Sequence, residues 1–223
     1  MVMNKKNFLS FVIIVSMLFS MLSGCSFEKK LSDFSDYQPV YDGMQHRESG
    51  KIAGYSRIEG IDGISTFYEI NGENPDEWLY VSYSGLMMGG DIVKSSKAND
   101  IKLEDADQLA IYNCKESMKI EYDFIISDTV LIDSLFKEFY DDNMISADEI
   151  PYEVLYPNGG PTAPVLYNYG IDFIFTRHPG FYYSSSYTED EQGNGYVLLF
   201  GESYFYPVGD LLRPYIDEII VEK

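Results

Sequence analysis

The sequence predicts an α+β protein, mainly an antiparallel sheet with two amphipathic helices at about 128–142 and 210–221. Three observations lead there. Short stretches rich in Tyr, Phe, Val and Ile recur with turn residues between them, the pattern of antiparallel strands. Tyrosines outnumber phenylalanines, 20 to 14, which suits strands with one wet face. Only two stretches switch to apolar residues at helical spacing.

The first strands are expected at 51–58 (KIAGYSRI) and 64–70 (ISTFYEI), on either side of the turn-forming EGIDG. A second turn, NGENPDE, leads into 78–84, where Trp78, Tyr80, Ser82 and Ser84 alternate with Leu79, Val81 and Tyr83. Over 85–97, Gly89-Gly90 reads as loop and DIVKSS as a strand. QLAIYNC (108–114) and SMKIEYDFIIS (117–127) flank Lys115-Glu116 as a hairpin. In its second strand Met118, Ile120, Tyr122 and Phe124 share one face, opposite Lys119, Glu121 and Asp123. The period then changes. Val130, Leu131, Leu135, Phe136 and Phe139 recur at helical spacing, with Ser127 or Asp128 as N-cap.

The second half repeats this style. Strands are expected at 152–157 and 169–177, separated by the loop NGGPTAP. Further strands at 180–189 and 195–201 bracket the hairpin loop DEQGNG, and 203–208 follows. The last helix puts Leu211, Leu212, Tyr215, Ile216, Ile219 and Ile220 on one face, with Pro214 tolerated in its first turn. FIISDTVLIDSLF and FYPVGDLLRPYID align at their Asp, which suggests a weak ββα duplication; independent use of good N-caps explains the likeness as well.

The N-terminus is different in kind. Lys5 and Lys6 precede an almost wholly apolar run from Phe8 to Leu22, too short to span a bilayer comfortably. The run ends in Leu22-Ser23-Gly24-Cys25, an aliphatic residue, two small residues and a cysteine. This resembles the signal peptide and lipobox of bacterial lipoproteins. The resemblance implies that residues 1–24 are a signal peptide and that Cys25 carries a diacylglycerol and becomes the first mature residue. It also implies a home on the extracytoplasmic face of the cell membrane. Two acyl chains hold a domain firmly where one holds only marginally. Lipidation would consume the Cys25 thiol, so a disulfide with Cys114 is not expected. Cys114, in the apolar-flanked LAIYNCKES, is expected as a buried, inert thiol. Residues 25–47 are polar and without sustained period, and read as a flexible tether; 48–223 read as one globular domain.

Charge narrows the partners. Thirty-six acids against 16 bases give −20, which argues against nucleic acid or anionic lipid binding through the domain itself. The 45% hydrophobic content excludes a disordered chain.

Chemistry-bearing motifs are scarce. His178, at a strand end before a proline, reads first as a turn residue and second as a general base beside Asp172 or Asp190. GESYF lacks the second glycine of a nucleophile elbow. DEQGNG begins like a calcium loop but has Gly201 where the bidentate Glu belongs, so a plain hairpin turn is expected. The acidic clusters at 104–107, 141–142 and 188–191 read as solvated loops. No cofactor or metal site is expected. PGFYYSSSYTED mixes tyrosine with serine as recognition loops do. Tyr182, Tyr183 and Tyr187, with Trp78, Tyr80 and His178, are the candidate ligand-binding residues; half-buried strand tyrosines are the competing reading. The expectation is a non-enzymatic binding or accessory domain for a protein, peptide or cell-wall ligand. The alternatives are a cell-envelope hydrolase using carboxylates and an immunity-type lipoprotein.

If Cys25 is acylated, Cys25→Ala should release the protein from membranes or leave its precursor uncut, as read by fractionation and mass spectrometry. Normal processing with unchanged membrane association would refute the lipobox reading.

Overall fold

The computed structural model of the chain describes residues 32–40, 43–58, 63–83, 89–113, 122–140, 143–150, 169–190, 192–199 and 204–221. The signal-peptide region, Cys25, Cys114 and the expected strand at 152–157 lie outside them. Among the described residues the protein is mostly antiparallel sheet with two α-helices, and no helix is long and apolar enough to cross a membrane.

In chain order the strands are β1 (Tyr37–Pro39), β2 (Met44–His46), β3 (Ser49–Ser56), β4 (Ser65–Ile70), β5 (Trp78–Ser82), β6 (Gly90–Ser95) and β7 (Gln108–Asn113). They continue with β8 (Phe124–Ile126), β9 (Ile145–Ser146), β10 (Tyr169–Ile174), β11 (Phe181–Glu189), β12 (Gly195–Leu199) and β13 (Tyr204–Gly209). The helices are α1 (Thr129–Tyr140) and α2 (Arg213–Val221). One sheet has the order β1-β6-β5-β4-β3. The larger runs β8-β7-β10-β11-β12-β13-β9, with β2 joined to β11.

The N-terminal segment corrects one expectation. Part of the presumed tether is folded: β1 pairs with β6, from Tyr37 opposite Ser95 to Pro39 opposite Val93. β2 pairs with β11, placing Met44, Gln45 and His46 opposite Tyr183, Tyr182 and Phe181. The reason lies in β11. Its neighbour β12 covers only Ser185–Glu189, and the exposed edge of the first half needs a partner for its backbone groups.

The large sheet has two faces of different character. Leu109 and Ile111 of β7, Ile171 and Phe173 of β10, and Phe181, Tyr183 and Tyr187 of β11 point to one side and are buried. On that side Phe173 meets Phe136 and Phe139 of α1 at 5.7 and 5.9 Å between ring centres. Leu212 and Ile216, before and within α2, join the same core. Asp128 caps α1 as expected, accepting from the amides of Val130 and Leu131 at 2.9 and 3.3 Å. α2 starts later than expected, because Asp210 first closes a turn with the amide of Arg213. Its first turn is tied by Arg213, which reaches Glu189 of β11 at 2.8 Å and Asp217 at 2.9 Å.

The small sheet packs on this core through Ile70, Trp78 and Ile92. Trp78 meets Phe181 edge-on at 5.1 Å, and His46 stacks on Tyr80 at 4.1 Å. Its opposite face, Phe67, Leu79, Val81 and Val93, is buried too, with Phe34 stacked on Phe67 at 4.1 Å. Both faces of β5 are therefore apolar.

Trp78 is the joint between the sheets, and only 2% of it is exposed. Trp78→Ala should cost about 3–5 kcal/mol in urea unfolding, the usual loss for a large buried aromatic. Val130→Ala, on the exposed side of α1, should change stability by less than about 0.5 kcal/mol. Equal effects of the two substitutions would refute this packing.

Candidate functional site

On the face of the large sheet away from α1, the strand alternation that buries Ile171 and Phe173 places Asp172 at the centre of β10. It lies opposite Ala110 of β7 and Ser184 of β11. Asp172 is fully buried. Its Oδ2 accepts a 2.8 Å hydrogen bond from the Tyr122 hydroxyl. The Tyr122 oxygen in turn accepts from an Arg47 NH1 donor at 3.0 Å. Asp172 Oδ1 has no well-formed hydrogen bond, although the Ser184 hydroxyl is close enough to favour the anion.

Three elements supply this chain. Arg47 directly follows β2, and its amide donates to Gly180 O at 2.9 Å. Its guanidinium lies over the rings of Tyr122 and Tyr182, 5.5 and 5.4 Å from their centres, a cation–π arrangement. Tyr122 precedes β8 and leans on Tyr112 at 5.9 Å. Tyr112 lies across Gly170 of β10, where a Cβ would come within 2.1 Å of its ring. Arg47, Glu48, Asn71, Tyr122, Pro179 and Tyr182 line a cleft of about 370 Å³ with Asp172. Arg47 makes no ion pair among the described residues.

The electrostatics follow from burial. Loss of solvent pushes the Asp172 carboxyl above the usual carboxylate range. Hydrogen bonds from Tyr122 and Ser184 and the charge of Arg47 oppose this without cancelling it. Burial, then the charge of Asp172, raises the Tyr122 phenol far above its ordinary value, so it stays a donor. A proton-holding phenol between a guanidinium and a buried carboxyl links Arg47 to Asp172, whose second oxygen has only the nearby Ser184 hydroxyl.

The sequence candidates scatter. Trp78 and Tyr187 are in the core, 2% and 0% exposed, and Tyr183 is buried beside them. Tyr187 donates to Glu189 at 2.7 Å and so helps to hold Arg213. Tyr80 lies under His46 between the sheets. Tyr182 alone lines the cleft. His178 bonds through Nδ1 to Glu73 at 2.9 Å, not to Asp172 or Asp190. Glu73, almost fully buried, also accepts from the Gly180 amide at 2.9 Å. It clasps the β10–β11 turn onto the β4–β5 turn.

A second hollow, of about 420 Å³, is lined by Asp100, Asp105, Asp107, Arg177 and His178. Its acids are engaged: Asp100 with Lys94, Asp105 with the Lys102 amide, and Asp107 with Thr176. Asp190 spends both oxygens on Gln192, Asn194 and Tyr196 within the β11–β12 hairpin. Among the described residues no group of three His, Cys, Asp or Glu is placed to hold a metal ion. Arg47 and Asp172 carried no motif. The only sequence signal was an acid inside an otherwise apolar strand, YGIDFIF. Comparison with family models, curated proteins and solved structures finds no match.

An acid with a raised folded-state pKa holds its proton more tightly folded than unfolded. Its ionisation therefore removes stability as pH rises from about 3.9 through the raised value, and the loss is constant above that. Asp172→Asn cannot ionise. Its stability relative to the parent should therefore be higher at pH 7 than at pH 4, as measured by urea unfolding at both. A difference independent of pH would refute the assignment.

Proposed function

We propose that the chain is a lipid-anchored protein on the extracytoplasmic face of the cell membrane, whose domain binds a protein, peptide or cell-wall ligand. The address rests on Lys5, Lys6, the apolar run to Leu22 and the Leu22-Ser23-Gly24-Cys25 motif. With lipid on Cys25, six residues separate the anchor from Ser32, the first described residue. Fully extended they reach about 20 Å, so the domain stays near the bilayer. The chain's charge of −20 disfavours contact of the domain with an anionic surface.

Binding rests on one observation: buried Asp172, whose Oδ1 accepts no well-formed hydrogen bond, lines a cleft that also holds Arg47. Natural folds pair nearly all their buried polar groups, and an exception calls for a specific reason. A bound ligand supplies one. The competing reading, a hydrolase using carboxylates, draws on the raised Asp172 and on Glu48 in the same cleft. Glu48, however, is engaged with Asn71 at 3.3 Å.

A ligand that binds only the folded protein stabilises it by about 2.7 kcal/mol at 100 times its dissociation constant. Fractions of an envelope extract should therefore include one that raises the melting temperature of the full-length protein and not that of Arg47→Gln. The same fraction should be recovered chemically unchanged; its consumption would favour the hydrolase. Failure of every fraction, or equal stabilisation of Arg47→Gln, would overturn the binding reading.

A further inference from the structure

We infer that the Asp172–Arg47 cleft takes a small zwitterion, an α-amino-acid group whose ammonium meets Asp172 and whose carboxylate meets Arg47. This inference rests on the binding reading above and specifies its ligand.

Two groups in the cleft, a carboxyl and a guanidinium, keep unused hydrogen-bonding capacity. Asp172 Oδ1 accepts no well-formed hydrogen bond, with only the Ser184 hydroxyl nearby. Arg47 spends NH1 on Tyr122, and its remaining donors enter no ion pair among the described residues. The Tyr122 hydroxyl bridges Asp172 Oδ2 and Arg47 Nη1 through hydrogen bonds of 2.8 and 3.0 Å. The carboxyl and the guanidinium thus flank a single phenol oxygen. That spacing suits a ligand whose ammonium and carboxylate flank a single carbon.

Other ligand classes leave something unmet. A simple anion satisfies Arg47 but approaches Asp172 and Glu48, within a protein of charge −20. A simple cation satisfies Asp172 but sits beside the guanidinium. A neutral sugar favours an open aromatic face, and Arg47 already lies over both Tyr122 and Tyr182. A zwitterion adds no net charge and supplies both partners. Admission requires movement, because Asp172 has no exposed surface. Arg47 is the side chain able to move: it is exposed and held by one hydrogen bond and two ring contacts. The cleft, about 370 Å³, has room for an amino acid with its side chain. The same pair of groups occurs on free amino acids and, in a peptide, only where a side chain itself ends in an ammonium and a carboxylate on one carbon.

The test is calorimetric titration of the full-length protein in detergent with the twenty free α-amino acids, and separately with soluble wall-peptide fragments carrying the same pair. At least one probe should bind saturably. Its N-acetyl form, lacking the ammonium, and its amide, lacking the carboxylate, should each bind at least tenfold more weakly. Arg47→Gln and Asp172→Asn should each weaken the intact probe at least tenfold. Circular dichroism checks that both variants fold; Arg47 is exposed, so its variant keeps the test open should Asp172→Asn unfold. Binding by the wall fragments alone would identify the displayed source. Equal binding of blocked and unblocked forms, or binding of neutral sugars instead, would overturn the zwitterion. So would the absence of binding by every probe. If an envelope fraction still stabilises the parent but not Arg47→Gln, only the ligand class is wrong; if none does, the binding reading falls too.

Discussion

A strand has two edges, and β11 is too long for its neighbour. β12 covers Ser185–Glu189 and leaves Phe181–Tyr183 with an unpaired edge. Unpaired backbone groups in a buried position each carry the desolvation cost of a lost hydrogen bond, about 1–3 kcal/mol. β2 fills the gap, and much of the molecule follows from that. Pairing Met44–His46 with β11 sets His46 against Tyr80 of the small sheet and leads β1 to its partner β6. It also delivers Arg47 to the far side of the large sheet, above Tyr122 and Tyr182. The joint between the sheets and the cleft are consequences of one pairing.

The turn before β11 shows how tightly that joint is made. A Cβ on Gly180 would lie 2.7 Å from Asn71 O and 2.8 Å from Ile70 Cγ2, so only glycine lets the β4–β5 turn approach. Glu73 then reaches both the Gly180 amide and His178, and Trp78 closes on Phe181. Backbone approach, the hydrogen bonds of Glu73 and aromatic contact all act on the same few residues.

The strands that carry their own period were readable from sequence. β4, β5, β10, β11 and β12 alternate over five or more residues, and the α1 cap at Asp128 is a local signal. β1 and β2 were not readable, because three residues hold no period and their partners lie some 55 and 135 positions away. Trp78, Tyr183 and Tyr187 lie in the core for a related reason. Alternation tells which residues share a face, but not whether that face meets water. In β5 both faces are covered, so Trp78 went to the core. In β11 the face holding Tyr183 and Tyr187 is the buried one, and Tyr182 lies on the other. From sequence, Asp172 was expected only as a neighbour of His178; that both faces of β10 are closed around it is a tertiary fact.

Two buried carboxylates among the described residues, Glu73 and Asp172, are held in different ways. Glu73 has a partner on each oxygen, a histidine ring and a backbone amide, and it ties two turns that must meet. Replacing it would loosen the joint, which is sufficient reason for its burial. Asp172 ties nothing comparable. One oxygen receives Tyr122 and the other no well-formed bond, so the fold carries a penalty of about 1–3 kcal/mol that a Val or Ile in the same strand would remove. Folded proteins are stable by only about 5–15 kcal/mol, so that is a substantial fraction to forgo at the centre of a sheet. Among the described residues only the Ser184 hydroxyl stands near that oxygen, and a ligand in the cleft is the proposed source of a stronger donor.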